Sequence, residues 1–333
     1  MYQEHPFAQY VRILGRGKRS GRSFTEEEAY QAMTMILNGE VEDVQLGAFL
    51  LLIRVREETT EELTGFTRAA RHYIQPEISA VVKSKADIDW PSYAGKHKQL
   101  NWYILATQAL ADSGISVFMH GTNEHTPGRL YSHTVLNELG IKSCENAKEA
   151  ALELTSNNFA YLPLEKFCPP LEKLIMLRHT LGVRSPIHTL VRLLNPSDAA
   201  STLVSIFHPA YRPIHQEAAL KLGYHNLAVF KGEGGEVERK PDARCLVQMT
   251  QGHKLKQDVQ WLPTLTKRAA QEERFEISQL KAVWRGQTES QYGEAAIIGT
   301  LAIALHNLGR TDSEALSYEL AGDIWLQRNK HRI

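Results

Sequence analysis

Six short apolar runs constrain this chain most: ADIDW at 86–90, ISVFM at 115–119, NFAYL at 158–162, TLVSIF at 202–207, NLAVF at 226–230 and CLVQM at 245–249. None alternates cleanly between apolar and polar residues, which is the pattern of strands covered on both faces. Helical patterns separate them, at about 99–113, 129–139, 147–155, 209–222, 271–284 and the alanine-rich 290–308. Alternating strands and helices predict an α/β body with a mostly parallel central sheet flanked by helices, and ligands near the carboxyl ends of its strands.

The first 76 residues carry no such runs. Ser23 or Thr25 is placed to cap a helix over 26–38, with Glu28 three residues beyond Thr25 completing a capping box and Asn38-Gly39 stopping it. In the next helix Val44, Ala48, Leu51, Leu52 and Val55 share one face, and Phe49, Leu50 and Ile53 extend the apolar surface round it. A helix so apolar is expected to meet another body. Thr59 or Thr60 caps a third helix, expected to end near Tyr73 because Gln75-Pro76 follows. The organisation expected is a small all-α domain over 1–76 and a large α/β domain over 77–167 and 196–333. The helical segment 168–195 folds back onto the small domain, and a groove lies at the hinge.

With 333 residues, 43% of them hydrophobic, the chain can bury an ample core. Its N-terminus lacks the order of a signal peptide and no apolar run has the length of a membrane span, so a cytoplasmic protein without membrane contact is expected. Cys144, Cys168 and Cys245 stand far apart and read as buried reduced thiols. Lys+Arg and Asp+Glu both number 38, which excludes a globally basic nucleic-acid binder and leaves a polarised one. Two clusters would supply the polarity. Residues 12–22 hold Arg12, Arg16, Lys18, Arg19 and Arg22 with no acid; residues 239–256 hold Arg239, Lys240, Arg244, Lys254 and Lys256 against Asp242. A solvated surface is the plainer alternative for each.

The loop after the first strand, DWPSYAGKHKQLN at 89–101, is where many α/β proteins hold phosphate on glycine amides. Here a single glycine stands among Trp90, Pro91, Tyr93, Lys96, His97 and Lys98.

The run LNGEVEDVQLGAFLLLIRVREETTEELTGFTRAAR resembles the helical domain of anthranilate phosphoribosyltransferase and the related pyrimidine nucleoside phosphorylases. RHTLGVRSPIHTLVRLLNP resembles that family's Arg-x-x-Leu-Gly-x-Arg segment and the Asn-Pro after it, here Arg178, Leu181, Gly182, Arg184, Asn195 and Pro196. The resemblance implies the two-domain fold above and a homodimer joined through the helical domain, which would explain the apolar surface around Phe49 to Ile53. The family's Gly-Thr-Gly-Gly-Asp pyrophosphate loop is replaced by Trp90-Pro91-Ser92-Tyr93-Ala94-Gly95, its Asn-x-Ser by Asn101-Trp102-Tyr103, its Lys-His-Gly-Asn by Met119-His120-Gly121-Thr122, and its paired metal-binding acids by Glu236-Val237. The family equivalents that remain are Asn101, His120, Gly121, Arg178 and Glu236. With several phosphate- and metal-holding groups lost together, no catalytic residue, metal or cofactor is expected, since such transfer depends on neutralising the departing pyrophosphate.

The chain is most similar to a divergent branch of this family whose members are regarded as nucleic-acid binders. That resemblance implies a homodimer binding DNA or RNA without sequence specificity, its phosphates held by Arg16, Lys18, Arg19, Lys96, His97, Lys98, Arg129, Arg178, Arg184, Arg239, Lys240, Arg244, Lys254 and Lys256. Trp90, Tyr93, Trp102 and Tyr103 are either stacking platforms for unpaired bases or core. The alternative is a transferase with a changed substrate, in which Arg178 holds an aromatic acid's carboxylate, His120 and Gly121 line its pocket, and Glu233 with Glu236 binds a metal. A scaffold that recruits a protein through its apolar helix is a third reading. His120, His125 and His133 are spaced like metal ligands, with loop histidines the simpler account, and GEGGE without an adjacent Lys-Ser/Thr reads as a turn.

Overall fold

In a computed structural model, which describes residues 3–17, 20–266 and 275–333, the chain begins with four helices: α1 (Ala8–Gly15), α2 (Glu26–Leu37), α3 (Asp43–Arg56) and α4 (Thr60–Val82). Thr25 and Thr59 make full capping boxes with Glu28 and Glu62, each hydroxyl accepting the N3 amide while the glutamate accepts the cap amide. Phe7, Tyr10, Phe24, Phe49 and Phe66 fill the bundle's interior, with Phe24 and Phe49 stacked at 5.9 Å between centroids.

Two expectations change here. Helix α4 does not end at Gln75-Pro76 but runs on to Val82, so the boundary expected at 76/77 falls inside a helix. Ile74, Ile78 and Val82 recur every four residues and are all buried in the core that also holds Ala150 and Leu154 of α7 (Ala147–Asn157). Burying three large apolar side chains, at about 2 kcal/mol each, outweighs the roughly 3 kcal/mol that a mid-helix proline costs. In α3, Phe49, Leu50 and Ile53 do not face outward; all three are fully buried in the chain's own bundle. The opposite stripe stays open, with Val44 80%, Leu51 39% and Val55 82% exposed.

The sheet has the parallel strands β1 (Ile88–Ser92), β2 (Val117–Gly121), β3 (Phe159–Pro163), β4 (Ser201–Ile206) and β5 (Asn226–Lys231), then antiparallel β6 (Cys245–Gln251), β7 (Lys254–Leu255) and β8 (Val259–Trp261). The order is β3-β2-β1-β4-β5-β6-β7, with β8 also on β6. All six apolar runs are strands, and the short β7 and β8 are additions. Connections run one way from β1 and the other way from β4, so the switch point, where open α/β sheets bind ligands, lies between these two.

Helices α5 (Trp102–Asp112), α6 (Ser132–Glu138), α12 (Tyr211–Lys221), α13 (Ser278–Trp284), α14 (Gln291–Asn307) and α15 (Glu314–Gln327) cover the sheet together with α7. The 168–195 segment is made of short pieces, with α8 (Leu164–Phe167) just before it, then α9 (Pro169–Met176), α10 (Arg178–Leu181) and α11 (Ile187–Leu190), and its apolar side chains join the bundle's core. Among the described residues no helix is long and apolar enough to cross a membrane. Cys144, Cys168 and Cys245 are all buried.

Helices α2 and α4 cross so closely that a Cβ on Gly65 would lie 2.2 Å from the Glu26 carbonyl oxygen and 2.7 Å from Ala29 Cβ. Gly65→Ala therefore forces the pair apart and is expected to lose about 2 kcal/mol in urea unfolding, even though alanine is the better helix former.

Candidate functional site

At the carboxyl end of β1 the chain turns through Tyr93–Leu100 before α5 begins at Trp102, three residues later than its apolar pattern suggests. Gly95 holds φ +63, the left-handed region, and a Cβ there would press to 3.0 Å of the Tyr131 ring. This conformation turns the Ala94 and Gly95 N–H groups to one point, and a side chain of the same protein fills it. Oε1 of Glu236 accepts from Ala94 N at 2.7 Å and Gly95 N at 2.6 Å, while Oε2 accepts from the Ser92 hydroxyl at 2.9 Å. Glu236 is fully buried. Burial pushes its carboxyl up, and the Arg192 charge and the three donors offset only part of that rise.

Glu238 closes a second contact. Its Oε1 receives the Lys96 ammonium at 2.5 Å and its Oε2 the Tyr103 amide at 2.9 Å; Lys96 also donates to the Leu100 carbonyl at 2.7 Å. Lys96 and Glu238 are both inaccessible to solvent. The expected exposed anion holder at 96 is thus a buried half of an ion pair. With its charge and donors matched inside, the pair escapes the several kcal/mol an unpaired buried ion would cost.

The aromatics of this loop belong to the core. Trp90, Tyr93, Trp102 and Tyr103 are at most 1% exposed, which leaves no ring face for a base. Trp102 packs on Gly293, where a Cβ would meet its ring at 2.8 Å. The Tyr103 hydroxyl joins Ser132 at 2.7 Å and Asn101 at 2.9 Å. His120 is buried between Asp89 (3.1 Å from Nε2) and the Tyr93 hydroxyl (2.6 Å from Nδ1). Gly121 is a glycine because a Cβ would sit 2.1 Å from the Ser92 carbonyl oxygen. Both residues are buried, so neither faces solvent as the substrate-pocket reading expects. His125 and His133 hydrogen-bond to loop and helix partners, and no group of metal ligands forms among the described residues. GEGGE is a 3-10 turn, with Gly234 at φ +68 and Gly235 at φ +90.

The hinge is strongly positive. Arg129 Nη1 donates to the carbonyls of Ala94, Gly95 and Gly234, clamping the loop to the glycine turn. Arg178 donates to the His125 carbonyl at 2.6 Å, and buried Arg192 to those of Ser205 at 2.8 Å and Gly235 at 2.9 Å. Arg184 stands among them with neither an ion-pair nor a hydrogen-bond partner among the described residues. Burial together with the guanidinium groups of Arg129, Arg192 and Arg178 pushes it down to about 10. Burial and the arginines Arg184, Arg178 and Arg192 also push His125 down to about 4. His97 and Lys98 are exposed on the same rim, where a Cβ on Gly128, next to Arg129, would lie 4.0 Å from the His97 ring.

Two adjoining depressions extend this field. One is lined by Arg54, Arg184, His188, Arg192, Phe207 and His208, the other by Phe207, Arg212, Lys231, Lys240 and Arg244. Acids accompany them: Glu58 is bound to Thr189 and Tyr211, and Glu233 to Lys240 at 3.2 Å. At the carboxyl end of α3, Arg56 lies beside Gly21; Arg16 is exposed, whereas Arg12 and Arg22 are paired with Glu4 and Glu28. Lys18 and Arg19 lie outside the described residues.

The 239–256 cluster is divided. Arg239 is fully buried and donates to the carbonyls of Lys240, Ala243 and Leu262, so it holds the loop and presents no charge outward. Lys240 and Arg244 flank the groove. Lys254 pairs with Gln251, opposite Asn226 at the start of β5, which puts it about 17 Å down the sheet from the groove at ~3.3 Å per residue. Lys256 lines another depression with His306 and Asp323. A hairpin that reverses direction carries both lysines away from the carboxyl ends. Arg54, Arg192, Phe207, Arg212 and Lys231 were not foreseen. The readable signal was position, since Phe207 and Lys231 directly follow or end strands at the switch point.

Residues 13–74 match the helical bundle domain of a glycosyl transferase family. The uncharacterized protein YbiB of Escherichia coli is 31% identical over 241 residues, 72% of this chain and 74% of that one. Anthranilate phosphoribosyltransferase of Geobacillus kaustophilus is 29% identical over 65% of this chain and 62% of its own. The crystal structure of the anthranilate phosphoribosyltransferase from Thermus thermophilus superposes with a TM-score of 0.80 at 21% identity, covering 97% of this chain and 94% of that one. The chain belongs to the anthranilate phosphoribosyltransferase-like family, with the helical bundle and α/β body of that fold.

The Glu236 carboxylate holds two buried amides and a hydroxyl, each of which loses about 1–3 kcal/mol if left unpaired. Glu236→Ala is expected to lower stability to urea by roughly 4 kcal/mol and Glu236→Gln by clearly less, because the amide oxygen still accepts. Equal, small losses for both would show that the loop does not rest on this side chain.

Proposed function

We propose that this protein binds nucleic acid through its phosphates, without sequence specificity, along the hinge groove, as a homodimer joined by the helical bundle. One observation carries the reading: cations outnumber acids along two adjoining depressions, from Arg54 through Arg184 to Lys231 and Arg244, while the Ala94 and Gly95 amides and the Lys96 ammonium are already taken by Glu236 and Glu238. An open row of guanidinium and ammonium groups suits a long polyanion. The Ala94 and Gly95 amides are already taken and so are closed to a pyrophosphate, and Glu236 commits both oxygens to protein donors instead of to a hydrated magnesium ion. This favours binding over phosphoribosyl transfer. Any DNA or RNA presents the same phosphates, so affinity depends on salt and hardly on sequence.

The measurement is retardation of arbitrary DNA and RNA oligomers over a salt series. Binding is expected to fall steeply with salt, and Arg184→Glu to weaken it uniformly across sequences while lowering the salt slope by about one or more. Three neighbouring arginines compensate the new acid, so folding survives. In parallel, calorimetry with phosphoribosyl pyrophosphate and magnesium is expected to show no heat of binding. Saturable heat with that ligand and no response to oligomers would reverse the assignment.

The dimer rests on the open stripe of α3, where Val44, Leu51 and Val55 repeat at seven and four residues and leave an apolar face in water. A twofold axis through it would duplicate the groove. Val55→Asp is expected to give a monomer in sedimentation equilibrium with unchanged helix content. A wild-type chain that is already monomeric at micromolar concentration would remove this part of the proposal.

A further inference from the structure

We infer that Phe207 is a stacking platform for an unpaired nucleobase, so that the groove takes single-stranded nucleic acid in preference to duplex. The inference rests on the nucleic-acid reading and specifies its ligand. Phe207 is the first residue beyond β4 at the switch point, where Ile206 pairs with Lys231. It is 48% exposed, unlike Trp90, Tyr93, Trp102 and Tyr103 of the loop after β1, and among the described residues it alone lines both basic depressions. Its position is set by its surroundings. A Cβ on Gly235 would lie 3.9 Å from its ring, the His208 ring stands edge-on at 5.0 Å and 79°, and Lys231 Nζ is 5.9 Å from its centroid.

A phenyl ring has no polar handle, so in water its open surface is unfavourable, and here cations flank it on both sides. Protein partners that cover an exposed phenylalanine usually bring apolar neighbours of their own, whereas the charged groups around this surface are mostly cations, Arg184, Arg212 and Lys231 among them. A ring set between cations matches a strand whose bases and phosphates alternate along its length. Each base has a π-face that stacks regardless of identity, which agrees with an absence of sequence preference. In a duplex those faces are covered by neighbouring pairs, so the ring discriminates by strandedness.

The test compares wild-type protein, Phe207→Ala and Phe207→Tyr on a single-stranded oligonucleotide and its duplex, each at several salt concentrations, with 2-aminopurine in the single strand to report stacking by fluorescence. Stacking of one base on an aromatic side chain changes affinity roughly tenfold. Phe207→Ala is expected to weaken single-strand binding about tenfold with an unchanged salt slope, to alter duplex binding less than about twofold, and to abolish the 2-aminopurine quenching; Phe207→Tyr is expected to restore both. Oligonucleotide binding that Phe207→Ala leaves unchanged, or that falls equally for both forms, would overturn the platform and leave the phosphate reading standing. A wild-type protein that retards neither form at low salt overturns that reading, and the platform with it.

Discussion

The carboxylate of Glu236 on the Ala94 and Gly95 amides is the contact on which the hinge is built. It fixes the loop after β1 against the turn after β5, two segments 142 residues apart in the chain. Arg129 seals the same junction from outside by donating to carbonyls of both segments. Glu236 and Glu238 lie either side of a tight turn closed by the Glu238 amide on the Glu236 carbonyl, and their side chains reach different targets, the loop amides and the Lys96 ammonium with the start of α5. A buried acid is stable only when its charge and lone pairs are met. Each of these two is met by groups that an anion-binding loop would otherwise keep free.

That internal matching explains the electrostatics outside. With the inner acids satisfied by inner donors, the arginines of the hinge outnumber the carboxylates near them. Arg192 and Arg178 settle on carbonyl dipoles, and Arg184 has no partner among the described residues, so the field of the surrounding guanidinium groups lowers the proton affinity of Arg184 and of His125 alike. Burial contributes first in both cases. The arginines add to it because a partly desolvated setting screens charge less than water does.

The parts of the fold legible in the sequence were those carried by local pattern. Six two-sided apolar runs became strands, and the Thr25 and Thr59 boxes formed because cap and glutamate are three residues apart. Pro76 misled because a local breaker was outweighed by distant packing on α7. The candidate site was less legible, since a residue type does not state its depth. Lys96 and Arg239 looked like exposed charge, yet their partners stand at 238 and at 240–262, brought near only by the finished sheet. Lys254 and Lys256 shared a cluster with Arg244 along the chain, but a reversing hairpin separated them in space. Arg129 and Arg178 reach the loops after β1 and β2 by donating to the carbonyls of Ala94, Gly95 and His125, at the carboxyl end of the sheet, where an α/β fold gathers its ligand contacts.

The same geometry bears on what kind of anion the hinge is suited to hold. A glycine-amide loop encloses a compact anion, since its donors converge on one point and must be dry to be strong. Here that point is occupied from within, and the remaining cations diverge along two depressions that meet at Phe207. On the proposed reading, charges spread along two depressions meet successive phosphates of a strand in turn. Bringing a phosphoribosyl pyrophosphate into the loop would first require displacing Glu236, leaving a buried carboxylate without its three donors. That cost, several kcal/mol by the same physics that stabilises the loop, separates this hinge from one that opens to a small substrate.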